Sequence, residues 1–210
     1  MAVTKTHPPE RIREAYKAGL RLFGENRVQE FTGKAEALVD LNDAAWHMIG
    51  HLQSNKAGKA ADLFGAVDSV DSLKLAQRLN TSAEQLGKKL SVLIELNVGG
   101  EAAKTGVAPD SKEFQEILLE AAKLDHLEFL GLMTVPPFTE DPEQARPYFR
   151  HLRKLRDEIA RRKLPKIGMD VLSMGMSHDF EVAIEEGSTC VRVGTSIFGE
   201  RKTPIYPLSS

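Results

Sequence analysis

A lysine ends the first apolar stretch of the chain, immediately before a turn. The segment Ala2–Pro8 reads AVTKTHP, so Lys5 follows two apolar residues and a threonine and precedes Pro8-Pro9. This order predicts a short strand that ends at Lys5 and a loop that leads into a helix. In α/β folds the carboxyl ends of strands carry the chemistry, and a partly desolvated lysine there can form an imine with an aldehyde. A solvated loop lysine without a chemical role is the alternative.

Two loops near the carboxyl terminus combine glycines with hydroxyl groups. They read SMGMS over residues 173–177 and GTS over residues 194–196. Glycine lets a backbone approach an anion closely, and hydroxyls and free helix-start amides can donate to it. Because each loop follows one of the last two predicted strands, the pair indicates a phosphorylated ligand. Glycines that serve only tight turns are the alternative.

An arginine belongs to the last predicted strand. Side chains alternate along a strand, so if Val191 and Val193 face outward, Arg192 and Gly194 face the barrel mouth. A buried arginine needs a partner. Arg192 therefore contacts either a bound ligand or an inward acid such as Glu95.

Other kinds of chemistry have no matching pattern. His47 and His51 lie on one strand-to-loop passage without a cysteine or acid companion, so no metal site is predicted. A GxSxG nucleophile elbow is absent. Cys190 has no nearby base and is interpreted as a core residue.

Composition narrows the class of protein. The 210 residues, 41% hydrophobic and 28% charged, are typical of one globular domain with a sizeable core. A net charge of −2 without a basic block argues against nucleic acid and anionic membranes as partners. A single cysteine, no apolar run of spanning length and no signal peptide predict a cytoplasmic protein. We expect a monomer, since no apolar surface helix is surplus.

Strand and helix patterns alternate from end to end. Strands are predicted at Ala2–Lys5, Leu20–Gly24, Trp46–Gly50, Gly65–Ser69, Leu90–Asn97, Phe129–Val135, Val171–Met174 and Thr189–Gly194. Helices are predicted at Pro9–Ala18, Val28–Val39, Asn55–Phe64, Ser72–Leu86, Ser111–Leu124, Asp141–Arg162 and Asp179–Glu186. This alternation predicts a single-domain (β/α)8 TIM barrel. A doubly wound sheet would require a glycine fingerprint after the first strand, and none is present.

One element is missing from this count, because eight strands are accompanied by only seven helices. The barrel domain is assigned to residues 1–201 and an irregular tail to residues 202–210, where Pro204 and Pro207 prevent a long helix. Either this tail covers the sheet between the last and first strands, or a helix that would precede Met1 is absent.

Seven segments together resemble the pyridoxal phosphate homeostasis protein family. They are AVTKTHP (2–8), FGENRVQE (23–30), WHMIGHLQSNK (46–56), NVGGEAAKTG (97–106), GLMTVPP (131–137), LSMGMSHDFEVAI (172–184) and GSTCVRVGTSIFGER (187–201). The barrel of that family is similar to the amino-terminal domain of alanine racemase. Family members usually carry a helix and lead-in residues before the first segment, in agreement with the missing helix.

The resemblance implies a cofactor and its site. Pyridoxal 5′-phosphate would form a Schiff base with Lys5, and Arg192 would face its pyridine nitrogen. The phosphate would be held by Ser173, Gly194 and Thr195. The remaining contacts implied are Asn26, His47 and Ile49 beside the ring and Met174 in the pocket lining.

The resemblance also implies a carrier rather than a catalyst. A cation at the pyridine nitrogen disfavours its protonation and makes the ring a poorer electron sink. Alanine racemase also uses a second base from a separate domain, which is not recognised in this sequence. We therefore expect a protein that buffers pyridoxal phosphate and passes it to apo-enzymes, without turnover. A single-domain, racemase-like enzyme is the alternative.

Overall fold

The computed structural model describes residues 1–101 and 105–199, in which eight parallel strands alternate with helices. The strands pair in chain order and are β1 (Ala2–Val3), β2 (Leu22–Glu25), β3 (Ala45–Met48), β4 (Ala66–Val70), β5 (Leu90–Glu95), β6 (Leu127–Met133), β7 (Ile167–Met176) and β8 (Cys190–Arg192). The helices are α1 (Pro9–Lys17), α2 (Val28–Ala35), α3 (Ala57–Leu63), α4 (Leu73–Gln85), α5 (Lys112–Glu120), α6 (Arg146–Arg162), α7 (Phe180–Glu185) and α8 (Thr195–Phe198). The predicted (β/α)8 barrel is confirmed.

Backbone hydrogen bonds bridge the gap between the last strand and the first. Val3 N donates to Val193 O at 2.9 Å, and Val193 N donates to Met1 O at 3.0 Å. The amino group of Met1 donates to Val191 O at 2.9 Å. The short helix α8 follows β8, and its Phe198 stacks on His7 from the turn after β1, with 4.6 Å between the ring centroids.

The core lies between the strands and the surrounding helices. Strand β5 is buried along almost its whole length, as expected of a parallel strand covered on both faces. Phe23, Phe64, Phe129 and Phe149 are fully buried between sheet and helices. Burial of side chains of this size stabilises the fold by roughly 1.5–3 kcal/mol each. This packed wall gives the strand ends fixed positions.

Most element bounds differ from the sequence prediction by a few residues, and three differences lie next to the carboxyl ends of the strands. Strand β1 ends two residues early, because Thr6 adopts a left-handed φ of 66° and turns the chain away from the sheet. Strand β7 is longer than predicted and runs to Met176, since pairing with β6 and β8 outweighs the weak strand preference of Gly168 and Gly175. The sequence did not predict α8. The tail assigned to residues 202–210 lies outside the described residues.

Candidate functional site

A cavity of about 490 Å³ opens at the carboxyl ends of the strands. Six of the nine residues predicted as a binding site line it: Lys5, Asn26, Ile49, Arg192, Gly194 and Thr195. They come from the ends of β1, β2, β3 and β8, so the barrel brings together side chains that are distant in sequence. We call this space the mouth cavity.

Lys5 occupies the turn that follows β1 and is half-buried. The preceding residue, Thr4, still continues the ladder, because its amide donates to Gly24 O at 2.9 Å. The His7 amide donates to Thr4 O at 3.1 Å and closes the turn. Lys5 thus lies one residue beyond the sheet, at the rim of the mouth cavity.

Asn26 follows β2 and contributes a buried acceptor to the cavity. Its side-chain Oδ1 has no hydrogen-bond partner among the described residues. Gly50, two residues beyond β3, lies so close to Asn26 that any Cβ on Gly50 would overlap the Asn26 backbone. A buried carbonyl without a donor is costly, so a ligand that donates to it would be stabilised there.

Arg192 is buried at the base of the mouth cavity. Its guanidinium donates to Ser173 Oγ at 2.8 Å and to Thr134 O at 2.7 Å, two of its five N–H donors. Burial lowers the pKa of Arg192, while acids that include Asp68 and Glu95 act in the opposite direction. Among the described ion pairs none joins Arg192 to Glu95, whose Oε1 accepts from the Thr105 hydroxyl at 2.7 Å. Arg192 therefore brings a cation to the cavity.

The loops after β7 and β8 meet on one side of the cavity. Gly194 N donates to Ser177 Oγ at 3.2 Å, which connects the two loops directly. Gly175 serves packing, because it has a φ of 91° and a Cβ there would lie 2.5 Å from Ala183 Cβ. Ser177 and Thr195 both line the cavity, which therefore contains two of the hydroxyl groups in the loops predicted to bind an anion.

Three predicted residues are not part of the mouth-cavity lining. His47 lies in β3, two residues before Ile49, whose amide continues the ladder by donating to Glu25 O. His47 therefore faces inward one layer deeper, where its Nδ1 lies 3.0 Å from Asp68 Oδ1. Ser173 is fully buried and holds Arg192. Met174 is a core residue, and Met176 at the true end of β7 lines the cavity instead.

Several other lining residues were not assigned to the site from the sequence. Besides Met176, they include His7, Val135, Phe138 and His178. Phe138 is 78% exposed, and its ring centroid lies 5.5 Å from that of His178. Phe138 comes from the loop after β6, where no alternation pattern indicates direction. For His178, the only signal was its place directly after the predicted anion loop.

Comparison with known proteins identifies the family. The family model described as "Alanine racemase, N-terminal domain" matches residues 1–202. Proteins named pyridoxal phosphate homeostasis protein are 52% identical over 96% of the chain and 86% of the relative in Aquifex aeolicus (strain VF5), and 42% identical over 96% and 76% in Homo sapiens.

Solved structures agree with this result. PipY of Synechococcus elongatus PCC7942, determined with PLP bound, is 39% identical with a TM-score of 0.86, over 95% of this chain and 91% of that one. Alanine racemase of Clostridium difficile 630 is 18% identical with a TM-score of 0.77, over 97% and 52%, and shares the fold. In the part of the chain that the structure describes, no helix is long and apolar enough to cross a bilayer, and no three potential ligands are grouped to hold a metal. The chain therefore belongs to the pyridoxal phosphate homeostasis protein family, whose barrel is an alanine racemase N-terminal domain.

Proposed function

We propose that this protein binds pyridoxal 5′-phosphate reversibly through Lys5 and acts as an intracellular carrier of the cofactor. The observation that carries the proposal is the grouping of Lys5, Arg192 and the linked loops of Ser177 and Gly194 around one cavity. An amine, a cation and a set of hydroxyl and amide donors match the aldehyde, the ring and the phosphate of this cofactor.

The site fits the group in two further respects. A volume of about 490 Å³ lies within the range of pockets for small ligands and cofactors. Asn26 Oδ1 is a buried acceptor that a donor on a ligand, or on a water beside it, would satisfy. When bound, the cofactor supplies a reactive aldehyde. The neutral amine of Lys5 would attack its carbon, form a C=N bond and release one water.

Arg192 supports a carrier over a catalyst. A buried guanidinium near the ring disfavours a second positive charge on the pyridine nitrogen, and thereby weakens the ring as an electron sink. Such a site holds the cofactor without driving proton removal from amino acids. Release of the aldehyde to apo-enzymes dependent on pyridoxal phosphate would complete the carrier role.

One observation favours a racemase-like enzyme as the second candidate. His7 and His178 both line the mouth cavity and could exchange protons with a bound amino acid. Incubation of the loaded protein with L-alanine, followed by chiral analysis, separates the candidates. Racemisation well above that of free cofactor would replace the carrier proposal, and a background rate supports it.

Substitution of Lys5 tests the binding proposal directly. We expect wild-type protein with pyridoxal 5′-phosphate to become yellow, and borohydride reduction to fix the cofactor mass to the peptide that contains Lys5. Lys5→Ala should abolish this covalent retention, because no other amine would occupy that place at the cavity. Lys17→Ala, at the exposed end of α1, is the matched control and should retain it. Retention by Lys5→Ala equal to wild type would contradict the proposal.

A further inference from the structure

A buried ion cluster lies beneath the turn that carries Lys5. Glu25 ends β2, and Glu30 and Lys34 lie one helical turn apart in α2. Lys34 Nζ is 2.7 Å from Glu25 Oε1 and 2.9 Å from Glu30 Oε1. The Glu25 side chain is fully buried, and that of Lys34 is 9% exposed. Charges this deep persist only when they are paired, and two of these three residues belong to the FGENRVQE segment.

Lys34 binds the turn on both sides of Lys5. Its ammonium donates to Thr4 O at 3.1 Å and to His7 O at 3.4 Å, in addition to the two carboxylates. Four acceptors surround a group that has three hydrogens. Lys34 is therefore fully engaged as a cation, and it is not a second amine available to an aldehyde.

The two acids bind the turn at further points. Thr6 N donates to Glu30 Oε1 at 2.5 Å, and the Thr4 hydroxyl donates to Glu25 Oε1 at 2.6 Å. Thr6 has a φ of 66°, a left-handed conformation that is unfavourable for a β-branched residue. The bond to Glu30 thus helps to hold the chain in a conformation that it would otherwise leave.

Strand β1 alone gives the turn little support. It contains two residues, and the chain leaves the sheet after the amide of Thr4. Since a reactive amine is effective only when it is held close to its target, the position of Lys5 must be fixed by something other than strand length.

We propose that Glu25, Glu30 and Lys34 are positioning residues that fix the turn of residues 4–7 and thereby hold Lys5 at the mouth cavity. This inference rests on the proposed function of Lys5. None of the three residues lines the mouth cavity, so they act through the backbone of the turn. A role only in overall stability is the competing explanation.

Glu30→Gln is the most selective variant, because it keeps the size of the side chain and removes its charge. Two measurements apply: amide hydrogen exchange at Thr6 in ligand-free protein, and the release rate of pyridoxal phosphate after dilution into a trap. We expect both rates to rise about tenfold, because a neutral amide oxygen accepts from Thr6 N more weakly than a carboxylate does. The thermal midpoint should stay near that of wild type.

Two further proteins complete the experiment. Glu25→Gln/Lys34→Met removes both charges of the deeply buried pair together and leaves only Glu30, whose side chain is 29% exposed, and it should release the cofactor faster still. Lys59→Met removes a lysine from an exposed pair with Asp62 in α3 and should change neither rate.

The outcomes separate this inference from the proposed function. Unchanged exchange at Thr6, faster exchange at Thr6 with unchanged release, or equal acceleration at all amides of β2 and α2 would each overturn it. If wild-type protein forms no adduct at Lys5, the proposed function fails, and the Thr6 exchange measurement still decides whether the cluster holds the turn.

Discussion

The two ends of the barrel interior each contain a cavity, and the two differ in how their polar groups are used. The mouth cavity of about 490 Å³ carries Lys5, Arg192 and the unpartnered Oδ1 of Asn26. The floor cavity of about 330 Å³ lies at the amino-terminal ends of the strands. Its walls include Leu22, Leu93, Leu130 and Val171, and its polar groups include His47 and Asp68.

The two cavities differ in how many of their polar groups can still form a hydrogen bond with a ligand. At the floor, His47 Nδ1 and Asp68 Oδ1 pair at 3.0 Å, and among the described residues no buried side-chain N or O atom of the floor lining lacks a partner. At the mouth, Asn26 keeps a buried acceptor and Arg192 has donors beyond its two bonds. Inward-facing side chains of the same strands line both cavities, so facing the barrel interior does not by itself indicate a binding site. The mouth cavity differs because it contains polar groups that can still form hydrogen bonds.

Loss of the Arg192 cation at the mouth cavity should weaken cofactor binding more than a substitution at the floor cavity. Arg192→Met keeps the unbranched apolar stem of the side chain but removes the guanidinium, so we expect affinity for pyridoxal phosphate to fall about a hundredfold, as for loss of charge-assisted hydrogen bonds. Absorbance titration measures the affinity. Cys190→Ala lies on the same strand but lines the floor, and it should bind like wild type. Equal losses in both variants would remove the distinction between the two ends.

A hydroxyl at each end provides a finer comparison. Ser177→Ala removes the link to Gly194 N and a donor at the predicted phosphate position, so affinity for pyridoxal phosphate should fall about tenfold. Binding of pyridoxal, which has no phosphate, should be unchanged. Ser91→Ala at the floor is the control and should alter neither affinity. Equal weakening of both ligands by Ser177→Ala would show that Ser177 does not bind phosphate.

The fold was predictable because local patterns and the barrel agree. Strand β5 is an apolar run of the kind that parallel sheets bury, and Ser72 caps α4 by accepting from Leu75 N at 3.3 Å. The early end of β1 was not predictable, because it depends on a φ of 66° at Thr6 that the distant Glu30 supports. Tertiary contacts of this kind leave no local pattern.

The sequence indicated most residues of the mouth cavity, but not how deep in the barrel each side chain lies. The resemblance implied His47 beside the cofactor ring, but His47 lies one layer below the mouth cavity, and nothing in the sequence separates these two layers. The resemblance also implied Met174 in the pocket lining, whereas Met174 is buried in the core and β7 continues to Met176, which lines the cavity. Phe138 escaped prediction because the loop that carries it has no periodicity.

The last comparison concerns the thiol of Cys190 at the floor. Burial raises the pKa of Cys190 above that of a free thiol, which disfavours the thiolate in the folded protein. Alkylation by iodoacetamide at neutral pH should therefore be about tenfold slower in the native chain than in the denatured chain. A native rate equal to the denatured rate would contradict burial of the thiol at the floor.

The same pKa shift makes stability depend on pH in one direction. Below the thiol pKa of the unfolded chain, about 8.5, both states are protonated and Cys190 contributes no pH dependence. As the pH rises above that value, the unfolded chain loses its proton first, so the free energy of unfolding falls. Urea unfolding of wild type and Cys190→Ala should therefore show the two stabilities diverging above this pH, with wild type losing more. Parallel curves would mean that Cys190 ionises equally in both states, and the floor would then be as accessible to water as the mouth.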